Sequence, residues 1–72
     1  MSSNYVVVYD GEEKGQKFFY TEQEALRYIN ELKDCTYIVY NIKKKKMIDY
    51  RINLRTSYDY FVKMYKDLSK LS

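Results

Sequence analysis

Four segments of the chain carry apolar side chains at the spacing of β-strands. They are residues 5–9, 16–20, 36–42 and 47–54. β-Branched and aromatic residues dominate these segments, which is typical of strands. The charged, glycine-containing stretch DGEEKG separates the first two and predicts a hairpin turn or a longer loop. The lysine run, residues 43–46, separates the last two and predicts the turn of a second hairpin.

Two further segments carry apolar side chains at helical spacing. Thr21 and Glu24 form a capping box, which predicts a first helix over 22–33. A Thr-Ser pair at 56–57 offers an N-cap for a second helix over 57–70. The order ββαββα predicts an α+β fold, in which two helices pack on a four-stranded, mainly antiparallel sheet.

The two helices differ in how much apolar surface they present. The first has one apolar face, formed by Ala25, Ile29 and Leu32. The main stripe of the second is Tyr58, Phe61, Val62, Tyr65 and Leu68. A second stripe lies beside it and comprises Tyr60, Met64 and Leu71. The second helix therefore carries more apolar surface than packing on one sheet face requires.

The order of elements also suggests an internal repeat of a ββα unit. A shift of 35 residues places Thr21 on Thr56, and a shift of 32 places Tyr5 on Tyr37. Neither unit is large enough to bury its own apolar face, so two units would have to pair. One interpretation is a duplication. The other is that any two ββα units with capped helices look alike.

The strands predict that the sheet needs more cover than two helices provide. In the fourth, Ile48, Tyr50, Ile52 and Leu54 alternate with polar residues, as expected for a strand with one wet face. The other three strands are apolar on both faces. If both helices lie on one side, the opposite face exposes tyrosines and valines; if they lie on opposite sides, each face is half covered. In either case a partner is expected to cover the remainder.

This reasoning selects a set of candidate interface residues on the second sheet face and on the second helix. The set is Tyr5, Val7, Tyr9, Tyr37, Val39, Tyr60 and Met64. The chain has ten tyrosines, and tyrosine is enriched at interfaces because it joins a large apolar ring to a polar tip. The alternative is a sheet covered by amphipathic tyrosines whose hydroxyls are hydrated.

The length of 72 residues predicts one domain, 1–72, with marginal stability. Small domains usually gain stability from disulfides, a metal or a second subunit. The chain has one cysteine, Cys35, and no histidine, so neither an intrachain disulfide nor a usual zinc site can form. We therefore expect a homodimer. Cys35 is expected to be a small buried residue between a helix and a strand. With no signal peptide or membrane segment in the sequence, we expect a soluble cytoplasmic protein.

The sequence offers no catalytic constellation. Without histidine the commonest general base is missing, and Ser-His-Asp and Cys-His arrangements are excluded. The glycines of DGEEKG lack the spacing of a phosphate-binding loop. Glu12 and Glu13 could form an acid pair, but they lie in a turn where water solvates them. We expect a protein that is not an enzyme, with no cofactor, no metal and no small-molecule substrate.

Charge is divided unequally along the chain. Residues 1–34 carry a net charge of −3, and residues 35–72 carry +6. The lysine run has only Asp49 as a nearby acid in the sequence. It could contact an anionic partner together with two arginines, or it could be a solvated turn whose charge discourages aggregation. The candidates for an anionic partner are Lys43, Lys44, Lys45, Lys46, Arg51 and Arg55.

Composition adds a clue about origin. Phe, Tyr, Ile, Asn and Lys, which have AT-rich codons, make up 32 of the 72 residues, whereas Gly, Ala, Arg and Pro make up 6. In size and composition the chain resembles the small orphan proteins of phages and prophages in low-GC bacteria. The leading hypothesis is a non-catalytic, homodimeric protein-binding module, a phage-type accessory protein acting on a host protein. The alternative is a nucleic-acid-binding protein that uses the basic hairpin and sheet tyrosines.

Overall fold

The computed structural model describes residues 3–71 and confirms the order ββαββα. The elements are β1 (Tyr5–Asp10), β2 (Lys14–Phe19), α1 (Glu22–Ile29), β3 (Thr36–Asn41), β4 (Lys46–Arg51) and α2 (Tyr58–Leu68). The four strands form one antiparallel sheet in the order β2-β1-β3-β4. The apolar strands β1 and β3 lie at its centre, and β2 and β4 form its edges.

Both hairpins lie where the sequence predicts them. Asp10 pairs with Lys14 across a three-residue turn, and Asn41 pairs with Lys46 across residues 42–45. In the second turn the side-chain oxygen Oδ1 of Asn41 accepts a hydrogen bond from the backbone N–H of Lys44 at 2.9 Å. Lys45 has a φ of 54°, in the left-handed region that non-glycine residues rarely adopt. The lysine run therefore closes the β3–β4 hairpin.

The helices lie on opposite faces of the sheet, which is the second of the two placements considered above. On the α1 face, the buried cluster is Val7, Ala25, Leu32, Cys35 and Val39. On the α2 face, it is Val6, Ile38, Tyr40, Phe61, Met64 and Leu68. Because neighbouring residues of a strand point to opposite faces, β1 and β3 supply side chains to both clusters. This explains why residues 5–9 of β1 and 37–40 of β3 are all apolar or aromatic.

The strands keep the symmetry of a repeat, but the helices do not. Val7 pairs directly with Val39, so a two-fold axis at this pair relates β1 to β3 with a shift of 32 residues. The same rotation leaves the faces of the sheet unchanged and would place both helices on one face. Since α1 and α2 lie on opposite faces, no such rotation superposes the two ββα units.

α1 begins as predicted and ends earlier. The hydroxyl of Thr21 accepts from the backbone N–H of Glu24, and a carboxylate oxygen of Glu24 accepts from the backbone N–H of Thr21. The helix ends at Ile29 and not at residue 33, because the following N–H groups bond to carbonyls three residues back. Leu32 lies beyond the helix but still packs in the core of the α1 face. Cys35 is buried there, as predicted.

The orientation of α2 differs from the prediction. Phe61 and Leu68 of the main stripe are buried, but Tyr58 and Tyr65 are exposed. Met64, assigned to the second stripe, is buried between them. The helix buries the i, i+3, i+7 set beginning at Phe61, because this set lies directly over Val6, Ile38 and Tyr40. Tyr58 and Tyr65 are thereby turned toward the β4 side of the helix.

The predicted alternation of β4 is wrong because the strand contains a bulge. Tyr40 pairs with Met47 while Val39 pairs with Asp49, so Ile48 is an extra residue. As a result Ile48 packs on the α1 face, whereas Met47 packs on the α2 face. The strand ends at Arg51, and Ile52 and Leu54 do not belong to it.

Candidate functional site

Three of the seven candidate interface residues lie inside the protein's own core. Val7 and Val39 are fully buried beneath α1, and Met64 is buried beneath α2. These side chains cannot meet a partner without unfolding. The apolar surface left for a partner must lie elsewhere.

The four candidate tyrosines are partly buried. Tyr5, Tyr9 and Tyr37 pack around α1 on the α1 face. Tyr60 lies on α2, and its hydroxyl donates a hydrogen bond to a carboxylate oxygen of Asp10. This bond joins the beginning of α2 to the end of β1. Three of the four tyrosines therefore lie beside α1 and the fourth belongs to α2, so the four do not form one exposed aromatic face of the sheet.

Five of the seven large apolar side chains that are exposed in the described residues belong to β4, to α2 or to the segment between them, and sequence reasoning missed this surface. We call it the aromatic patch; its members are Tyr50, Ile52, Leu54, Tyr58 and Tyr65. The ring of Tyr50 packs 5.4 Å from the ring of Phe61, centroid to centroid. Phe61 follows Tyr58 by one helical turn and precedes Tyr65 by one turn, so the three share one side of α2. Exposure is 52% for Tyr50, 71% for Tyr58 and 38% for Tyr65.

Leu54 is fully exposed, at 103%, and occupies the tip of a tightly bonded turn. The backbone N–H of Thr56 donates to the carbonyl of Asn53 at 2.9 Å, which closes a β-turn over residues 53–56. The N–H of Arg55 donates to Oδ1 of Asn53 at 3.0 Å. The signal for this turn was present in the sequence, because asparagine is favoured at the first position of a β-turn.

The same turn is fixed to the centre of the sheet through a buried threonine. The hydroxyl of Thr36 accepts a hydrogen bond from the backbone N–H of Asn53 at 2.8 Å, and its O–H donates to the hydroxyl oxygen of Thr56 at 2.6 Å. Thr36 is fully buried at the start of β3. Both ends of the turn are therefore held, and Leu54 projects between them.

A groove of about 330 Å³ lies on the other side of α2, above β1 and β2. Its apolar wall consists of Val8, Met64, Leu68 and Leu71. Its rim carries charged and polar side chains, namely Asp10, Lys14, Gln16, Lys63 and Asp67. α2 thus lies between two incompletely covered surfaces, the groove and the aromatic patch.

The α1 face is more completely closed by its own aromatic side chains. The ring of Tyr28 lies 6.0 Å from that of Tyr9 and 5.4 Å from that of Phe19, and the Lys17 ammonium lies 4.8 Å above it. Hydrogen bonding to Tyr9, followed by burial, raises the pKa of Tyr28 to about 12. Burial also raises the pKa of Tyr37, and the charge of Asp49 adds to this effect.

The structure divides the six cationic candidates between two ends of the sheet. Lys43, Lys44, Lys45 and Lys46 lie at the tip of the β3–β4 hairpin, whereas Arg51 and Arg55 lie near the opposite end. In the described part of the chain, none of the six makes an ion pair within 4.0 Å. The hairpin end is strongly basic. The opposite end carries both signs, with Asp10, Glu12 and Asp34 near Arg55.

Across residues 3–71 no group of three or more potential metal ligands is found. No helix within the same residues is long and apolar enough to cross a membrane. Comparison with protein-family models, with curated proteins and with solved structures gives no match for this chain.

Proposed function

We propose that the protein is a non-catalytic protein-binding module that forms a homodimer through the aromatic patch. The observation that carries the proposal is the exposure of Tyr50, Ile52, Leu54, Tyr58 and Tyr65 on one side of α2. A phage-type accessory role on a host protein, in the cytoplasm, belongs to the same proposal. The free thiol of Cys35 is consistent with that compartment.

The size of the patch suits a contact between two copies. Large aromatic side chains bury about 150–250 Å² each, so the exposed portions of the three tyrosines amount to roughly 300 Å², and Ile52 and Leu54 add to this. An interface of standard size covers about 800 Å² on each partner. The patch would supply most of such a surface, and its burial would offset the marginal stability of a small domain.

Sedimentation velocity over a range of concentrations tests the dimer. We expect a dimer for the native chain and a shift to monomer for Tyr58→Glu, because this change places a carboxylate in the patch. Tyr20→Glu is the matched control, since Tyr20 is 55% exposed but lies outside the patch. A native chain that stays monomeric at high concentration, or an equal shift in both variants, would reject the proposal.

A second candidate function is the binding of nucleic acid through the lysine run. It is favoured by one observation: four lysines at the hairpin tip have no carboxylate within 4.0 Å in the described part of the chain. Affinity for DNA or RNA should then fall steeply with added salt. Replacing all four by alanine should weaken binding equally for different sequences. The control is alanine at Lys63 and Lys66 of α2 and at Lys70 just after it. Equal losses in both variants would mean that the hairpin lysines have no specific role.

A further inference from the structure

The two edges of the sheet differ in whether a further strand can be added to them. The β4 edge is interrupted by the bulge at Ile48, and a carboxylate oxygen of Asp49 accepts from the backbone N–H of Tyr50 at 2.8 Å. A bulge and an occupied donor both discourage pairing with another strand. β2, in contrast, pairs with β1 along its whole length without a bulge and contains no proline, so its outer edge is regular.

The hydrogen-bond pattern of the sheet identifies the backbone groups on the β2 edge. The N–H of Ile42 donates to the carbonyl of Asn4 at 2.8 Å, so even-numbered residues of β1 bond to β3 and odd-numbered residues bond to β2. The odd-numbered residues of β2 pair with the latter and direct their backbone groups inward. The backbone N–H and C=O groups that point outward therefore belong to Lys14, Gln16 and Phe18.

The groove beside α2 runs along this edge. Gln16 lines it from β2 and pairs with Val8, which forms part of its apolar wall. Phe18 is 45% exposed and pairs with Val6 of the α2-face cluster, so its ring adds apolar surface on the same face. A strand added to β2 would direct every second side chain to this face. The groove volume of about 330 Å³ accommodates a large apolar side chain of such a strand.

Charge along the edge indicates which kind of segment fits it. β2 carries Lys14 and Lys17 and no acid. The acids on the rim of the groove, Asp10 and Asp67, are already bonded within the chain, whereas Lys63 on the same rim has no carboxylate within 4.0 Å in the described residues. The uncompensated charge is positive, which suits an acidic segment and disfavours contact between the like-charged β2 edges of two copies.

We propose that the β2 edge binds an extended, acidic segment of a partner protein as an additional strand, with an apolar side chain of that segment in the groove beside α2. Backbone hydrogen bonds to the outward groups of β2 supply affinity, and the groove supplies specificity. This inference rests on the proposed protein-binding function and specifies where the partner binds. The aromatic patch lies beside β4, at the opposite edge of the sheet, so a dimer through the patch leaves the β2 edge free.

Fluorescence anisotropy with a labelled peptide that alternates valine and glutamate tests the edge. We expect this peptide to bind the native chain, and a valine–lysine peptide of the same length not to bind. Two N-methylated forms of the valine–glutamate peptide, methylated on alternate amides, distinguish backbone pairing from charge attraction. Only one set of amides faces β2, so one form should bind about tenfold more weakly or worse while the other keeps its affinity. Equal affinities of the two forms, or no binding of the unmethylated peptide, would overturn the inference.

Gln16→Pro tests the same contact from the side of the protein. It removes the central outward N–H, and proline is tolerated there because this donor makes no bond within the sheet. We expect binding of the valine–glutamate peptide to weaken by about tenfold, with an unchanged circular dichroism spectrum, whereas Gln16→Thr keeps the N–H and the affinity. Native affinity in a folded Gln16→Pro variant would overturn the inference. If Gln16→Pro fails to fold, the methylated peptides decide.

The dimer constant separates this inference from the proposed homodimer. Gln16→Pro should leave the constant unchanged; a weaker dimer would mean that a second copy occupies the edge and would overturn the inference. A monomeric native chain that binds the peptide would reject the homodimer and support the edge site. A dimeric chain that does not bind the peptide would reject the edge site alone.

Discussion

On the α1 face an eight-residue helix leaves Val7 and Val39 fully buried, whereas on the α2 face an eleven-residue helix leaves the aromatic patch, Phe18 and a groove uncovered. The difference does not follow helix length. On the α1 face, Tyr28 of the helix packs between Tyr9 and Phe19 of the sheet and extends the cover sideways. On the α2 face, the ring of Tyr65 lies 6.3 Å from that of Tyr40 but stays 38% exposed, and Tyr58 is 71% exposed.

The comparison shows that large side chains at the margins of a helix decide how much of a sheet it covers. The bulge in β4 adds to the difference because it places Ile48 on the α1 face and leaves Tyr50 beside α2. One face is thus closed within the chain, and the other retains apolar surface that a partner can cover. Changes on the α1 face should therefore affect folding, whereas changes to the exposed surface on the α2 face should affect association.

Val39→Asp should have the largest effect, because Val39 is fully buried at the centre of the α1 face. A buried, unpaired carboxylate is among the most destabilising changes known, and we expect more than about 4 kcal/mol. In a domain of marginal stability this change should abolish folding, which the loss of the far-ultraviolet circular dichroism signal would report.

Leu54→Asp is the matched control on the α2 side. It introduces the same carboxylate at a fully exposed position, so the secondary structure of the monomer should be retained while dimerisation is lost. A folded Val39→Asp variant, or an unfolded Leu54→Asp variant, would contradict the distinction between a closed and an open face.

Gly11→Ala should have the next largest effect, because the β1–β2 turn packs directly on the segment after α1. A Cβ atom at Gly11 would lie 2.3 Å from the backbone oxygen of Asp34 and 2.7 Å from Cα of Cys35. The backbone must shift to relieve these contacts, at a cost of about 3 kcal/mol, measurable by urea denaturation.

Gly15→Ala is the control for this change. There the nearest atom to the new Cβ would be the hydroxyl oxygen of Tyr9, at 3.1 Å, and a side-chain end can move. We expect a clearly smaller loss. If the two variants lose the same free energy of unfolding, close backbone packing at Gly11 does not contribute specifically to stability.

Thr36→Val should destabilise the chain less and act mainly on the turn that carries Leu54. Valine keeps the volume but removes the hydroxyl that binds Asn53 and Thr56. Leaving the N–H of Asn53 without its acceptor should cost about 2 kcal/mol in urea denaturation and should also weaken the dimer. Thr36→Ser keeps the hydroxyl and should preserve the dimer constant. If Thr36→Val dimerises like the native chain, the turn that Thr36 holds does not contribute to the dimer interface.

Local signals in the sequence predicted most of the fold. The capping box of Thr21 and Glu24, the N-cap at Ser57 and both hairpin turns lie where the pattern places them. Each depends on residues close in sequence, so neighbouring residues suffice to indicate it. The face of α2 that packs on the sheet could not be chosen in this way. Met64 and Tyr65 are adjacent, and only the position of Ile38 and Tyr40 beneath the helix selects Met64.

The candidate site was harder to predict for the same reason. The alternation from Ile48 to Leu54 looks regular, and an extra residue at a bulge becomes visible only once β3 is paired with β4. The sequence pattern therefore places Leu54 in a strand, although it lies in a turn and is exposed. The pattern also places Val7 and Val39 on an open face, because the sequence does not reveal that the helices lie on opposite sides.

The smallest expected effect is on the titration of Tyr28, which reports on the packing of the α1 face. Its pKa of about 12 exceeds the ordinary value of 10, so its proton is held more tightly in the folded chain than in the unfolded chain. The stability contributed by this group is present below pH 10 and should be lost as pH rises toward 12.

Tyrosinate absorbance should show one ionisation at a higher pH than the others, and this ionisation should disappear in Tyr28→Phe. Tyr9→Phe should shift it to lower pH, because the hydrogen bond to Tyr9 is the largest cause of the raised pKa. If the ionisation at high pH is still seen in Tyr28→Phe, it does not belong to Tyr28.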